Sequence, residues 1–232
     1  MADIQTVTSL AILGGVGLDV FKTQINNLLS PTTEHMGQYL RDRVQRAFII
    51  SENACKKLKK QGVTKTRPMP EKLVAQIMEN GSQEGDPTMR ELWENLLASA
   101  ANPNFKQEIP PSFPEILKQL SAAEAAILNK LYGSAIDAIS PEAPYPSRAY
   151  PVNANFKYTN LNEFATMIDN LDRLNLLTVG MDSSVGGTTF PSAVHFTKLG
   201  FAFVSAVWKP GSKPEEMVGQ FVPSTHSLAI NT

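Results

Sequence analysis

Apolar residues return at helical spacing along most of this chain. Leu40, Val44, Ala47, Phe48, Cys55 and Leu58 share one face at a period near 3.6, which predicts a long amphipathic helix. Leu73, Val74, Ile77 and Met78 predict a shorter helix over 70–80, broken by the glycines of "NGSQEG" at Gly81 and Gly85. Met89, Leu92, Trp93, Leu96, Leu97 and Ala100 form an unbroken i, i+3, i+4, i+7 stripe. Asp86 stands at its N-cap position, Pro87 at its first turn, and Pro103 ends it. Two Ser-x-x-Glu sequences, Ser112 with Glu115 and Ser121 with Glu124, then read as capping boxes that start two helices. The second of these carries Ile127, Leu128, Leu131, Ala135 and Ile139 inward.

The pattern changes at 140–158, where prolines mark a loop or extended connection. A further helical stripe follows at Leu161, Phe164, Ala165, Ile168, Leu171 and Leu174, capped near Thr159 or Asn160. Leu176–Val179 and Phe190–Phe196 then read as a β-hairpin around the turn "GMDSSVGGTT". "TKLG" opens a closing helix that buries Leu199, Phe203 and Val204. Helix, hairpin and helix in that order resemble the back half of a winged helix. The fold expected is therefore mostly α: a helical N-terminal subdomain at 37–101 and a winged-helix-like C-terminal subdomain at 102–208 with one β-hairpin. An apolar, glycine-bearing segment (1–36) precedes them, and a proline-bearing flexible tail (209–232) follows.

Composition places the chain among globular proteins, with 42% hydrophobic residues and a net charge of −1. That near-neutral total hides an asymmetry. Between Gly37 and Arg67 nine basic residues face two acidic ones, a net +7, which leaves −8 for the rest. The basic side chains that flank the first helix's apolar face are Arg41, Arg43, Arg46, Lys56, Lys57, Lys59 and Lys60. They are the candidate site for an anionic partner. The bland reading is a solvated helix face whose lysines suit the negative end of the helix dipole. No aromatic residues interleave with these cations, which argues against base stacking on a single strand. The helix before the hairpin carries Glu163, Asp169, Asp172 and Arg173, a net −2, and the turn adds Asp182. DNA recognition through this wing is therefore not expected.

Candidate chemistry is sparse. One cysteine, Cys55, excludes an internal disulfide; it reads as core, in keeping with a reducing cytoplasmic setting. His35, His195 and His226 do not pair at metal-ligand spacing, and no P-loop, G-x-S-x-G or H-E-x-x-H sequence occurs. Glu91 and Glu94 read as carboxylates on a solvated outer face. The run Leu10–Val20 is apolar but much shorter than the roughly 20 residues of a spanning helix. The expectation is a non-enzymatic protein with no cofactor and no metal.

The stretch "MENGSQEGDPTMRELWENLLASAANPN", followed by "IPPSFPEILKQLSAAEAAIL", resembles the Abi-alpha (abortive infection alpha) family of bacterial proteins. The similar parts are Gly81–Glu84, Leu92–Ala98, Pro111–Ser121 and Glu124–Leu128, with weaker similarity at Arg41–Arg46 and Arg67–Pro70; together they span most of 35–208. Ile109 stands where such proteins often carry a Val-His pair. The resemblance implies a role in bacterial defence against phage and supplies no catalytic residues. The function expected is thus a phage-defence protein acting through contacts with a protein partner that the sequence does not identify, a phage-derived protein among the options; a homodimer is a further option. Two alternatives stay open: a nucleic-acid-binding regulator using the basic helix, and a membrane-acting effector using residues 10–20.

Overall fold

The computed structural model describes residues 17–20, 22–23, 38–136, 149–151, 156–158, 160–185, 188–208 and 228–230. The protein is mostly α, as the periodicity predicts, and forms two compact units, Met1–Gln119 and Leu120–Thr232.

The first unit packs α1 (Gln38–Lys60), α2 (Glu71–Gln83), α3 (Pro87–Ala101) and α4 (Ser112–Lys118). Helix α3 is its centre. Every residue from Leu92 to Ala101 is buried, and both α1 and α2 pack on it. Its start follows the sequence: the Asp86 carboxylate accepts from the amides of Thr88 and Met89, and Pro87 occupies the first turn. Helix α1 ends in a Schellman turn, with Gly62 at φ 73° and the Val63 amide donating to Leu58 O.

Gly81 does not break α2, which continues to Gln83. A side chain there would stand 2.8 Å from Ile50 Cδ1 and 3.1 Å from Trp93 Cγ. This glycine is a packing residue that lets three helices approach closely, at a modest cost in helix propensity.

The two capping boxes part company. At Ser121 the box forms: the Ser121 amide and hydroxyl donate to Glu124 Oε2 at 2.7 and 2.8 Å, and the Glu124 amide donates to Ser121 Oγ at 3.2 Å. At Ser112 it does not. Pro110 and Pro111 start α4 one residue earlier, Ser112 is already helical, and Glu115 instead accepts from Gln76 Nε2 at 3.3 Å. That packing of α4 against α2 places residues 102–119 in the first unit. The division between the two compact units falls after Gln119.

The second unit holds α5 (Ala122–Ile136), β1 (Tyr150–Pro151), β2 (Phe156–Tyr158), α6 (Leu161–Arg173), β3 (Leu177–Val185), β4 (Thr188–Phe196), α7 (Lys198–Val207) and β5 (Leu228–Ile230). The expected hairpin forms and is longer than expected. Residues read as turn continue the ladder to Val185↔Thr188. The register shifts around Met181, which faces Pro191; proline has no N–H for the ladder, and a bulge absorbs the mismatch. A third strand, β1, comes from the proline-rich connection and pairs with β4, giving the antiparallel order β1-β4-β3. A second correction concerns the tail. Residues 228–230 pair antiparallel with β2, which satisfies backbone groups that a free tail would leave to water. The rest of 209–232 lies outside the described residues, as does Ile139.

One corner ties this unit together. Helix α6, capped by Asn160, ends in a Schellman turn with Asn175 at φ 56° and the Leu176 amide bonded to Leu171 O. Thr197, the N-cap of α7, donates from its hydroxyl to Asn175 O at 2.5 Å and accepts from the Gly200 amide at 2.8 Å. Gly200 lies flat on Leu176, and a Cβ there would overlap the Leu176 carbonyl. Aromatic contacts extend outward from this corner, from Tyr132 to Phe201 to Phe196 to Tyr150. Phe203 and Val204 are buried as expected, whereas Leu199 is half-exposed.

Two stability predictions follow from this geometry. Gly200→Ala should lower stability by about 3 kcal/mol, because the obstacle is backbone and cannot rotate away; urea unfolding followed by circular dichroism reads it. Ser121→Ala should cost about 1 kcal/mol and Ser112→Ala almost nothing, although both sit in the same four-residue motif.

Candidate functional site

Helix α1 carries all seven candidate cations, and the fold divides them. At about 100° per residue, Ala47, Ile50, Ala54 and Leu58 point to the core. Arg43, Arg46, Asn53 and Lys57 lie along one flank of that face. Lys56, Lys59 and Lys60 lie on the opposite side.

The flank is committed to the unit's own packing. Arg46 Nε donates to Ser82 O at 2.7 Å, and Arg43 reaches Ser82 Oγ and Glu79 O at 3.4 Å, so both cap the end of α2. Carbonyls at a helix C-terminus lack helical partners and carry the negative end of the dipole, which suits arginine there. Lys57 Nζ lies 3.1 Å from both Glu91 Oε1 and Glu94 Oε2 and donates to Asn95 Oδ1 at 2.7 Å. Asn53 Nδ2 donates to the other Glu94 oxygen at 2.7 Å. The Glu94 side chain is only 9% exposed and that of Lys57 14%. Glu91 and Glu94 are therefore not a solvated face; they are half of a polar network between α1 and α3.

Arg67 serves the other end of α3. Its Nε donates to Ala100 O at 2.6 Å, Nη2 to Ser99 O at 3.2 Å, and Nη1 to Phe105 O at 2.9 Å. Both terminal nitrogens reach Gln107 O at 3.1 Å. Burial holds its guanidinium below the usual arginine range, and Glu108 opposes that shift. Only arginine's planar fork can serve four carbonyls in this way.

The outward cations are different. Lys56, Lys59 and Lys60 are exposed, and Arg41 is exposed further up the helix. The fold adds two lysines that the candidate set omits. Lys22 comes from a short strap described at 17–20 and 22–23, and Lys65 lies just beyond α1. Gly17 bridges Lys65 through the backbone, Leu18 is buried, Lys22 pairs with Glu52 at 3.5 Å and Lys59 with Asp19 at 3.4 Å. Cys55 lies beneath this strap; burial is the main cause that raises its thiol pKa, so it is a poor nucleophile.

Elsewhere, Glu124 Oε1 accepts from Asn170 Nδ2 at 2.6 Å, joining α5 to α6. His195 is half-buried on β4, while His35 and His226 lie outside the described residues. Among the described residues no group of three or more His, Cys, Asp or Glu could hold a metal ion. A cleft of about 210 Å³ is lined by Asn80, Gln83, Glu84, Trp93 and Lys118. It is below the roughly 300 Å³ at which small-molecule sites begin. No helix among the described residues is long and apolar enough to cross a membrane.

The sequence pattern does not single out Asn53, which donates to Glu94, or Asn95, which accepts from Lys57. A signal was present: Asn53 and Lys57 at i, i+4 match Glu91, Glu94 and Asn95 at i, i+3, i+4, two polar ridges able to face each other.

The family model for abortive infection alpha matches residues 40–207. No curated protein and no solved structure matches.

Lys57→Met should destabilise the protein by about 2 kcal/mol, because it strands a largely buried carboxylate. Lys56→Met, on the outer face, should change stability by no more than about 0.5 kcal/mol. Pairing Lys57→Met with Glu94→Gln should recover part of the loss, and a double-mutant cycle in urea measures that coupling.

Proposed function

The chain belongs to the abortive infection alpha family, and on that premise we propose that it acts in bacterial defence against phage through contacts with a protein partner, not through catalysis. The observation that carries this reading is how the polar side chains able to do chemistry are used. Lys57, Glu91, Glu94, Asn95 and Arg67 hold helices together and spend their hydrogen-bonding capacity inside the first unit. A catalytic group must instead be free to meet substrate. The same division of α1 weakens the nucleic-acid reading, since Arg43, Arg46 and Lys57 face α2 and α3 rather than a duplex.

Expression in a susceptible bacterium should lower plaque counts. Infected cultures should survive at a low phage-to-cell ratio and collapse at a high one, the behaviour of a defence that sacrifices infected cells. A tagged chain crosslinked during infection should capture a protein that then binds the purified chain directly. Unchanged plaque counts would remove the defence role. Protection that depends on turnover of a small molecule or nucleic acid by the purified chain would replace contact with catalysis.

A further inference from the structure

Five lysines from three stretches of chain converge on one side of the first unit: Lys22 on the strap, Lys56, Lys59 and Lys60 on α1, and Lys65 after it. Lys56, Lys59 and Lys60 fall within about 100° of each other around the helix. Two carboxylates stand among them, Asp19 and Glu52, so the patch is net +3. Its ion pairs span 3.4–3.6 Å between side chains at least 41% exposed. Such pairs contribute little stability and exchange readily for another anion.

A second observation selects the anion. Val20 lies in the strap between Asp19 and Lys22 and is 49% exposed, a large hydrophobic side chain left to solvent. The sequence that runs into the strap, Leu10 to Val16, is apolar and uncharged. A phosphate backbone has no use for an exposed aliphatic group beside its cations. A bilayer has use for both, because lysines meet the headgroups while apolar side chains enter the acyl boundary.

We propose that this patch, Lys22, Lys56, Lys59, Lys60 and Lys65 around Val20, docks the protein on an anionic membrane surface. The docking is peripheral and reversible, since the apolar run is too short to span. It uses a face separate from the Lys57 network and is independent of the protein-contact reading.

Sedimentation of the full-length protein with vesicles tests this. Vesicles of phosphatidylcholine with 30% phosphatidylserine should bind it, and phosphatidylcholine vesicles should not. Lys56→Gln/Lys59→Gln/Lys60→Gln should lower the partition coefficient on the order of a hundredfold, from the worth of each lysine near an anionic surface. A charge-matched control, Lys72→Gln/Lys106→Gln/Lys118→Gln, changes exposed lysines elsewhere on the unit and should lower it far less. Val20→Ser should lower vesicle binding severalfold, and raised salt should release the protein. Equal losses from the two triple variants would overturn the proposal, as would equal binding to both vesicle types or to neither. So would a short DNA duplex that displaces the vesicles and depends on the same three lysines but not on Val20.

Discussion

Helix α3 is buried along most of its length while carrying Glu94, Asn95 and Ser99, and the first unit is arranged around that constraint. A buried carboxylate without partners would cost more than any single apolar contact returns. Lys57 and Asn53 on α1 supply the partners, and that fixes the face α1 turns to α3. Arg67 then receives the carbonyls that α3 leaves unsatisfied at its C-terminus. Gly81 allows α2 to come close enough to complete the packing around Trp93.

Once α1 is set by Lys57, its other cations have no choice of direction. Arg43 and Arg46 meet the end of α2. Lys56, Lys59 and Lys60 emerge on the far side, where the strap brings Lys22 and Val20 beside them. A helix that is basic over much of its polar surface thus divides into cations that join helices and cations exposed to solvent. Net charge alone does not separate these roles; angular position around the helix does.

The second unit rests on a different kind of constraint, a backbone corner. Asn175 takes a left-handed conformation, Thr197 joins that turn to the start of α7, and Gly200 permits contact without a side chain between. Hairpin and helices are positioned by carbonyls and small residues, and the aromatic cluster from Tyr132 to Tyr150 fills the space that results. Among the described residues, the contacts that form this corner come from Asn175, Leu176, Thr197 and Gly200, none of them charged.

Much of this is legible in the sequence. The stripe from Met89 to Ala100, the Asp86 cap, the Ser121–Glu124 box, the hairpin and the closing helix all follow from local rules, because each depends on residues within a turn or two of one another. The family resemblance is likewise written in local motifs. The candidate site was half legible: the sequence identified the seven cations but not which of them would be used internally. That choice depends on Glu91, Glu94 and Asn95, more than thirty residues away, as the separations of these contacts show. The same limit applies to Gly81, which reads locally as a breaker and becomes a packing residue when Ile50 and Trp93 arrive. It applies to Ser112, whose cap is pre-empted by its prolines and by Gln76. The sequence by itself determined the elements, since hydrogen bonding and burial within a helix are short-range. Only the tertiary structure decided which polar groups join helices and which face solvent, because burial of charge is settled between elements and not along them.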